Sequence, residues 1–263
     1  VVGNDDFYVQ TLTSLALAMD DTIPANLSAS VAKVFSDDFR RRKYHGTFGS
    51  VGQKHVFNQL SRYGNHSIAM MTATQTSYPS FGYWIANGAT TCWENWSGVA
   101  DSAHPPQPTH NHIFLCGGIG EWLYKYVVGI TSGGPGFASV IVRPSIDSSV
   151  GPASASGVIG TVFGLVHVSW SRDVATKSLT LNLTTPKPAS VEMPSIFGDR
   201  TDQVVVSAST KSSQGIVWSD GIFHDGIVTG IKGGTEEHTA KDGTRRVVFH
   251  VNRGAYSFVM RKD

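Results

Sequence analysis

Ser132-Gly133-Gly134-Pro135-Gly136 stands between two sequence periodicities, and that change of period decides the fold. Before it, Asn111 to Val128 carries Phe114, Leu115, Trp122, Leu123, Tyr126 and Val127 at helical intervals, the longest helical pattern in the chain. After it, Val140-Ile141-Val142 leads into alternation: Val166, Val168 and Trp170 with His167 and Ser169, then Leu179, Leu181 and Leu183 with Thr180, Asn182 and Thr184. Period two, punctuated by Gly, Pro, Asp and Ser, predicts strands with one face buried. Val204-Val205-Val206, Ile216-Val217-Trp218, Val247-Val248-Phe249 and Tyr256, Phe258 and Met260 continue the pattern. The polar, Gly-rich stretch from Lys211 to Arg246 reads as hairpins with long loops.

Toward the N-terminus the pattern is helical throughout. Asp5 and Asp6 precede Phe7, Val9, Leu12, Leu15 and Met19, whose spacing predicts one buried face behind an acidic first turn. Pro24 opens a second pattern through Leu27, Val31, Val34 or Phe35, and Phe39, which ends in the basic run Arg40-Arg41-Arg42-Lys43, expected to be a solvated helix end. Val51, His55 or Val56, and Leu60 resume the period, and Ser67 to Thr74 is short, small and apolar. The expected architecture is therefore multidomain, α then β. Residues 1–131 are helical, Ser132 to Gly136 forms a hinge, and residues 132–263 form an antiparallel β-sandwich.

Composition narrows the function. The 263 residues are 40% apolar and 16% charged, with a net charge of +1, and both halves are balanced in sign. No basic block is present for nucleic acid or an acidic membrane surface, and no apolar run reaches the ~20 residues of a membrane span. The chain begins Val1-Val2-Gly3-Asn4, which suggests a processed or excised polypeptide. Four sequons, at Asn26, Asn65, Asn95 and Asn182, lean toward the secretory route and a secreted protein. Cys92 and Cys116 could form one disulfide or stay as free thiols.

Chemistry concentrates between Tyr78 and Tyr126. Four of the six Trp (Trp84, Trp93, Trp96 and Trp122) fall in the helical half, many of the distinctive side chains lying in a connection, Tyr78 to His110, too long for a plain linker and rich enough in aromatics to be a pocket wall. Glu94 stands between Trp93 and Trp96. Indoles stack on the C–H faces of a sugar and a carboxylate handles protons or hydroxyls, although a surface Glu beside two packing Trp would look the same. His110-Asn111-His112 offers donors and acceptors at the start of the last helix. A metal there would need a third ligand, for which only His104 is near, and the spacing fits no zinc pattern, so neither metal nor cofactor is expected. Gly117-Gly118-Ile119-Gly120 lacks the strand and Lys-Ser/Thr of a phosphate loop and reads as close helix packing. No Gly-x-Ser-x-Gly elbow is present.

Several blocks, taken in order, resemble the α-L-rhamnosidases of glycoside hydrolase family 78. They are Thr74-Gln75-Thr76-Ser77-Tyr78-Pro79-Ser80-Phe81-Gly82-Tyr83, Gly88-Ala89-Thr90-Thr91-Cys92-Trp93-Glu94-Asn95-Trp96, Asn111-His112, Gly120-Glu121-Trp122-Leu123-Tyr124, Gly134-Pro135-Gly136-Phe137 and Ile141-Val142-Arg143-Pro144. The resemblance implies the later half of an (α/α)6 barrel followed by the C-terminal sandwich. It further implies an inverting hydrolase for terminal α-L-rhamnose, with Glu94 as general base, His112 in the rhamnose pocket, and Trp93 and Trp96 as its walls. The family's general acid lies upstream of the matched blocks, so the expected partners are a rhamnoside substrate and the missing N-terminal part of the same enzyme, with this chain alone inactive. Glu121 reads as structural, and Phe81 replaces a commoner Trp. A half barrel would expose the helix faces that normally meet the missing helices. Two other readings stand beside this one: a non-catalytic carbohydrate-binding module, and a barrel hydrolase acting on another sugar.

Overall fold

A computed structural model of the chain describes residues 9–19, 22–98, 109–147, 149–197, 202–209, 213–238 and 242–262. The chain forms two compact units, Val1–Trp122 and Leu123–Asp263. Among the described residues no helix is long and apolar enough to cross a membrane.

The first unit holds α1 (Val9–Ala18), α2 (Ser28–Arg41), α3 (Ser50–Gln53), α4 (Val56–Arg62), α5 (His66–Ala73), α6 (Phe81–Ala86) and α7 (Ile113–Trp122). The acidic start expected for α1 at Asp5 and Asp6 lies outside the described residues. Within α1 the buried residues are Gln10, Ser14 and Leu17, while Leu12 and Met19 stand 61% and 59% exposed. This corrects the face expected from the sequence, and the cause is polar. The Gln10 amide donates to the Asp38 carboxylate at 2.9 Å and accepts the Thr47 N–H at 2.7 Å, so the face that α1 buries is set by a hydrogen-bonded side chain together with Leu17, and not by Leu12.

Asp38 also reshapes the basic run at the end of α2. Arg42 Nε donates to it at 3.0 Å and Arg41 pairs with it too, so the run is a partly buried ion-pair cluster as well as a helix end. Inside, aromatic rings form the core. Phe35, Phe39, Phe48 and Phe57 are buried in sequence, and Trp122 lies 5.3 Å from Phe57. The Trp122 indole N–H donates to Ser61 Oγ at 2.8 Å, which satisfies the polar edge of a fully buried ring. Gly118 allows α7 to approach closely: a Cβ there would lie 2.4 Å from Lys54 Cα, in keeping with the packing role read for that glycine cluster.

In the second unit, π-helical turns over Leu123–Val128 precede twelve strands: β1 (Ile130–Ser132), β2 (Val140–Val142), β3 (Ser154–Thr161), β4 (Gly164–Asp173), β5 (Ser178–Thr185), β6 (Ala189–Pro194), β7 (Asp202–Ala208), β8 (Ser213–Ser219), β9 (Ile222–Phe223), β10 (Ile231–His238), β11 (Arg245–Val251) and β12 (Gly254–Lys262). They form a five-stranded sheet, β1-β2-β6-β11-β10, and a seven-stranded sheet, β3-β4-β5-β12-β7-β8-β9. The sandwich is antiparallel apart from one pair, β2 with β6. A parallel neighbour needs a long crossover, and the β3–β5 excursion into the other sheet supplies it. The alternating residues fill the space between the sheets: Val166, Val168, Trp170, Leu179, Leu181, Leu183, Val191 and Met193 are buried, and Phe249 on β11 meets Phe258 on β12 at 5.5 Å.

Ser132 to Gly136 is not the expected hinge. It lies in the loop of the β1–β2 hairpin, in which Ser132 pairs with Val140. The π-helical turns join the sandwich because the Trp170 indole donates to the Val127 carbonyl at 2.7 Å and Tyr126 O accepts the Ser145 N–H at 2.8 Å.

Candidate active site

The segment that follows α6 carries the residues of interest, and indole hydrogen bonds fix it in place. Ser80 caps α6 by accepting the Tyr83 N–H at 3.0 Å, and Trp84 is the buried residue of that short helix. Trp84 Nε1 donates to the Trp96 carbonyl, and Trp96 Nε1 donates to the Phe48 carbonyl, both at 3.0 Å. Trp96 lies tilted 4.7 Å from Trp84 and edge-to-face 5.2 Å from Phe48, so it is a member of the aromatic core, 7% exposed.

Trp93 is likewise buried, 8% exposed. Its ring lies parallel to that of His110 at 4.7 Å, and both line a cavity of about 570 Å3 with Tyr83, Asn87, Thr90 and Thr91. His110 Nε2 donates to the Gly98 carbonyl at 2.6 Å, and the Thr91 hydroxyl donates to the His110 carbonyl. Gly98 must be glycine here. Its φ is +69°, and a Cβ would fall 2.2 Å from the Trp93 ring.

Glu94 faces outward, exposed, and lies outside the lining of that cavity. The chain doubles back beside it: Glu94 N–H donates to the Thr109 carbonyl at 2.9 Å and His112 N–H to the Cys92 carbonyl at 2.7 Å. This pairing brings Thr109 onto the carboxylate. Oε2 of Glu94 accepts the Thr109 backbone N–H at 2.8 Å and its hydroxyl at 3.2 Å. The same hydroxyl oxygen lies 3.3 Å from His112 Nδ1. A threonine hydroxyl has one proton, so when it donates to an ionised Glu94 the contact to His112 requires a donor at Nδ1.

The structure thus brings Glu94 and His112 together through Thr109 and puts Trp93 in the adjacent cavity wall, while Trp96 lies behind that wall. Thr109 is the residue that the sequence reading missed, because its role arises from a pairing between distant segments. Cys92 is a free thiol. His104, the third ligand that a metal at His110 and His112 would need, lies outside the described residues, as does the rest of the connection from Val99 to Pro108.

A helical unit followed by a β-sandwich has the architecture of a six-hairpin barrel domain with a C-terminal sandwich domain, and the helical unit carries the carboxylate, the histidine and the aromatic cavity. The chain belongs to the bacterial α-L-rhamnosidase family. Residues 3–127 match its six-hairpin glycosidase domain and residues 129–208 its C-terminal domain. An α-L-rhamnosidase of Streptomyces avermitilis is 29% identical over 196 residues, 73% of this chain and 18% of the relative. One from Alteromonas sp. is 30% identical over 186 residues, 70% of this chain and 20% of the relative. The structure of the α-L-rhamnosidase from Dictyoglumus thermophilum superposes with a TM-score of 0.74 at 26% identity, covering 96% of this chain and 25% of that one. The Streptomyces avermitilis enzyme complexed with L-rhamnose gives 0.71 at 25% identity, covering 95% and 21%. The chain therefore spans about a fifth of the length of the curated relatives it matches.

Proposed function

We propose that this chain supplies the general base and one wall of the sugar pocket in an inverting α-L-rhamnosidase whose general acid lies outside these 263 residues. The observation that carries the reading is the exposed Glu94 carboxylate, anchored through one oxygen by Thr109 and next in sequence to Trp93, which lines an aromatic cavity. A base in an inverting glycosidase takes a proton from water as that water attacks the anomeric carbon. The acid stands on the other face of the ring, about 6.5–9.5 Å away, and protonates the leaving oxygen. Anchoring Oε2 orients Oε1 toward a single direction, which is what a group that aims a water needs. His112 then meets a rhamnose hydroxyl, and Trp93, buried and stacked on His110, contributes to the wall of the adjoining cavity.

The supporting family match is to both domains, and the substrate assignment follows the relatives' α-L-rhamnosidase activity. The test is hydrolysis of p-nitrophenyl α-L-rhamnopyranoside by the longer polypeptide and by this chain. The chain alone is expected to be inactive. Glu94→Gln in the longer polypeptide is expected to lose about 10²–10⁴-fold in kcat, the usual contribution of a general base. NMR of the first product should show the β-anomer. Wild-type turnover in Glu94→Gln would end the assignment, and faster hydrolysis of another aryl glycoside would displace rhamnose as the substrate.

Because Glu94 lies outside the cavity lining while Trp93 and His110 lie within it, a binding-only module is the second reading. It predicts sugar binding without turnover in the longer polypeptide as well.

A further inference from the structure

The outer face of the seven-stranded sheet has an unusual chemistry. Strand register sets six residues in one row: Ser156 opposite Ser169, Ser169 opposite Asn182, Asn182 opposite Ser257, Ser257 opposite Ser207, and Ser207 opposite Gln214. Strands lie ~4.8 Å apart, so the row is about 24 Å long. Beside it runs Val158, His167, Thr184 and Ala255, and on the other side Ser154, Ser171, Thr180 and Val259. Their sequence neighbours Val166, Val168, Leu181 and Leu183 are buried in the sandwich, which sends these side chains to the solvent side.

Two features separate this face from an ordinary solvated sheet. None of the fourteen positions holds Lys, Arg, Asp or Glu, although charged residues are the ones most regularly found exposed. Part of the face is also concave. Ser156, His167, Ser169, Asn182 and Thr184 line a cavity of about 580 Å3 with the Tyr124 ring beside them, a volume within the range of small-molecule sites.

The hydrogen-bonding capacity of the face is largely unspent. Among the described residues the side chains of Ser156, His167, Thr184 and Ser257 make no hydrogen bond to protein, and Asn182 Nδ2 reaches Ser169 Oγ only at 3.4 Å. Hydroxyl, amide and neutral imidazole groups each offer both a donor and an acceptor, which is also the chemistry of a sugar hydroxyl. The three rows hold no cation for a phosphate or a uronic acid; Arg261 stands in the row beyond Val259, in register with Ser178 and, across it, Asp173. A protein partner would call for an apolar centre with aromatic, Met or Arg anchors, and the rows contain none.

We propose that this face binds a neutral saccharide chain, laid across β3, β4, β5 and β12, at a site separate from Glu94. The site does not depend on the hydrolytic reading, because every residue in it lies in the second unit.

The test is affinity electrophoresis of the 263-residue chain, produced in a bacterium so that the Asn182 sequon stays bare. Gels would contain arabinoxylan, galactomannan or hydroxyethylcellulose as neutral probes, and polygalacturonate as an acidic one. At least one neutral probe should retard the chain. The double variant His167→Ala with Asn182→Ala, and separately Thr184→Asp, which introduces a charge, should each weaken that retardation at least tenfold, with circular dichroism unchanged. Glu94→Gln should be retarded like the wild type. The proposal is overturned if no neutral probe retards the chain, if polygalacturonate alone does, if the face variants are still retarded, or if Glu94→Gln abolishes the effect. Self-association in sedimentation runs that the face variants abolish would mark the face as a protein contact and would also overturn it.

Discussion

Thr109 provides the sharpest test of the candidate site. Thr109→Val keeps the shape of the side chain and the backbone N–H that donates to Glu94 Oε2 at 2.8 Å, and removes only the hydroxyl. That hydroxyl makes two contacts, 3.2 Å to Glu94 and 3.3 Å to His112, so its loss removes one contact from each. A well-made hydrogen bond to an ionised group contributes about 1.5–3 kcal/mol. Here the distance is long and Thr109 is exposed, so the lower end applies, about 1.5 kcal/mol or roughly tenfold in rate. On the proposed assignment of Glu94 as the base, the bond orients that base and does not itself bind sugar, so the loss belongs in kcat, with KM for the aryl rhamnoside little changed. Thr109→Ser restores the hydroxyl and should recover most of the rate. The assay is steady-state hydrolysis of p-nitrophenyl α-L-rhamnopyranoside by the longer polypeptide carrying each variant. If Thr109→Val turns over at the wild-type rate, or if Thr109→Ser is as slow as Thr109→Val, the hydroxyl does not position the base.

Three further outcomes follow from the geometry. Gly118→Ala would drive a Cβ to 2.4 Å from the Lys54 backbone, so α7 must shift; a loss of about 3 kcal/mol is expected in urea unfolding, and an unchanged midpoint would mean that the helices are not in close contact. Burial, and then the neighbouring Lys54, push the His55 imidazole below its ordinary value near 6.5, against a smaller upward pull from Glu121. The folded state therefore takes up fewer protons than the unfolded chain, and stability should fall as pH drops below about 6.5. His55→Gln should flatten that fall, and an unaltered pH dependence would exclude His55 as its source. In a eukaryotic secretory host, glycopeptide mapping should find Asn95 bare, because its Oδ1 already accepts the Gly98 N–H at 2.8 Å and the Ser97 hydroxyl at 3.2 Å, whereas Asn26 is exposed in a turn and should be occupied. Majority occupancy at Asn95 would count against the loop geometry.

What the sequence could reveal depended on how local the cause was. The sandwich was readable because period-two burial is written into most strands: Val166, Val168 and Trp170 point inward whatever lies elsewhere, whereas β3, β6 and the parallel β2–β6 pair were not read. The orientation of α1 was not, because Gln10 is held by Asp38 twenty-eight residues away, and a periodicity built on leucines has no place for a buried amide. Leu12 on α1, Met19 just after it, and Leu27 and Val34 at and within α2, are exposed. The site divides in the same way. The Trp93-Glu94-Asn95-Trp96 run was visible as a cluster, but its neighbours do not share a wall: Trp93 faces the cavity, Glu94 faces outward, and Trp96 closes the core beneath them. Adjacency in sequence identified the loop, whereas the hydrogen bond from the Trp84 indole to the Trp96 carbonyl and the doubling back at Thr109 determine which side each residue presents. The second indole, that of Trp96, is structural. Buried and bonded to Phe48, it holds the first indole at the cavity and leaves the acid free of the core.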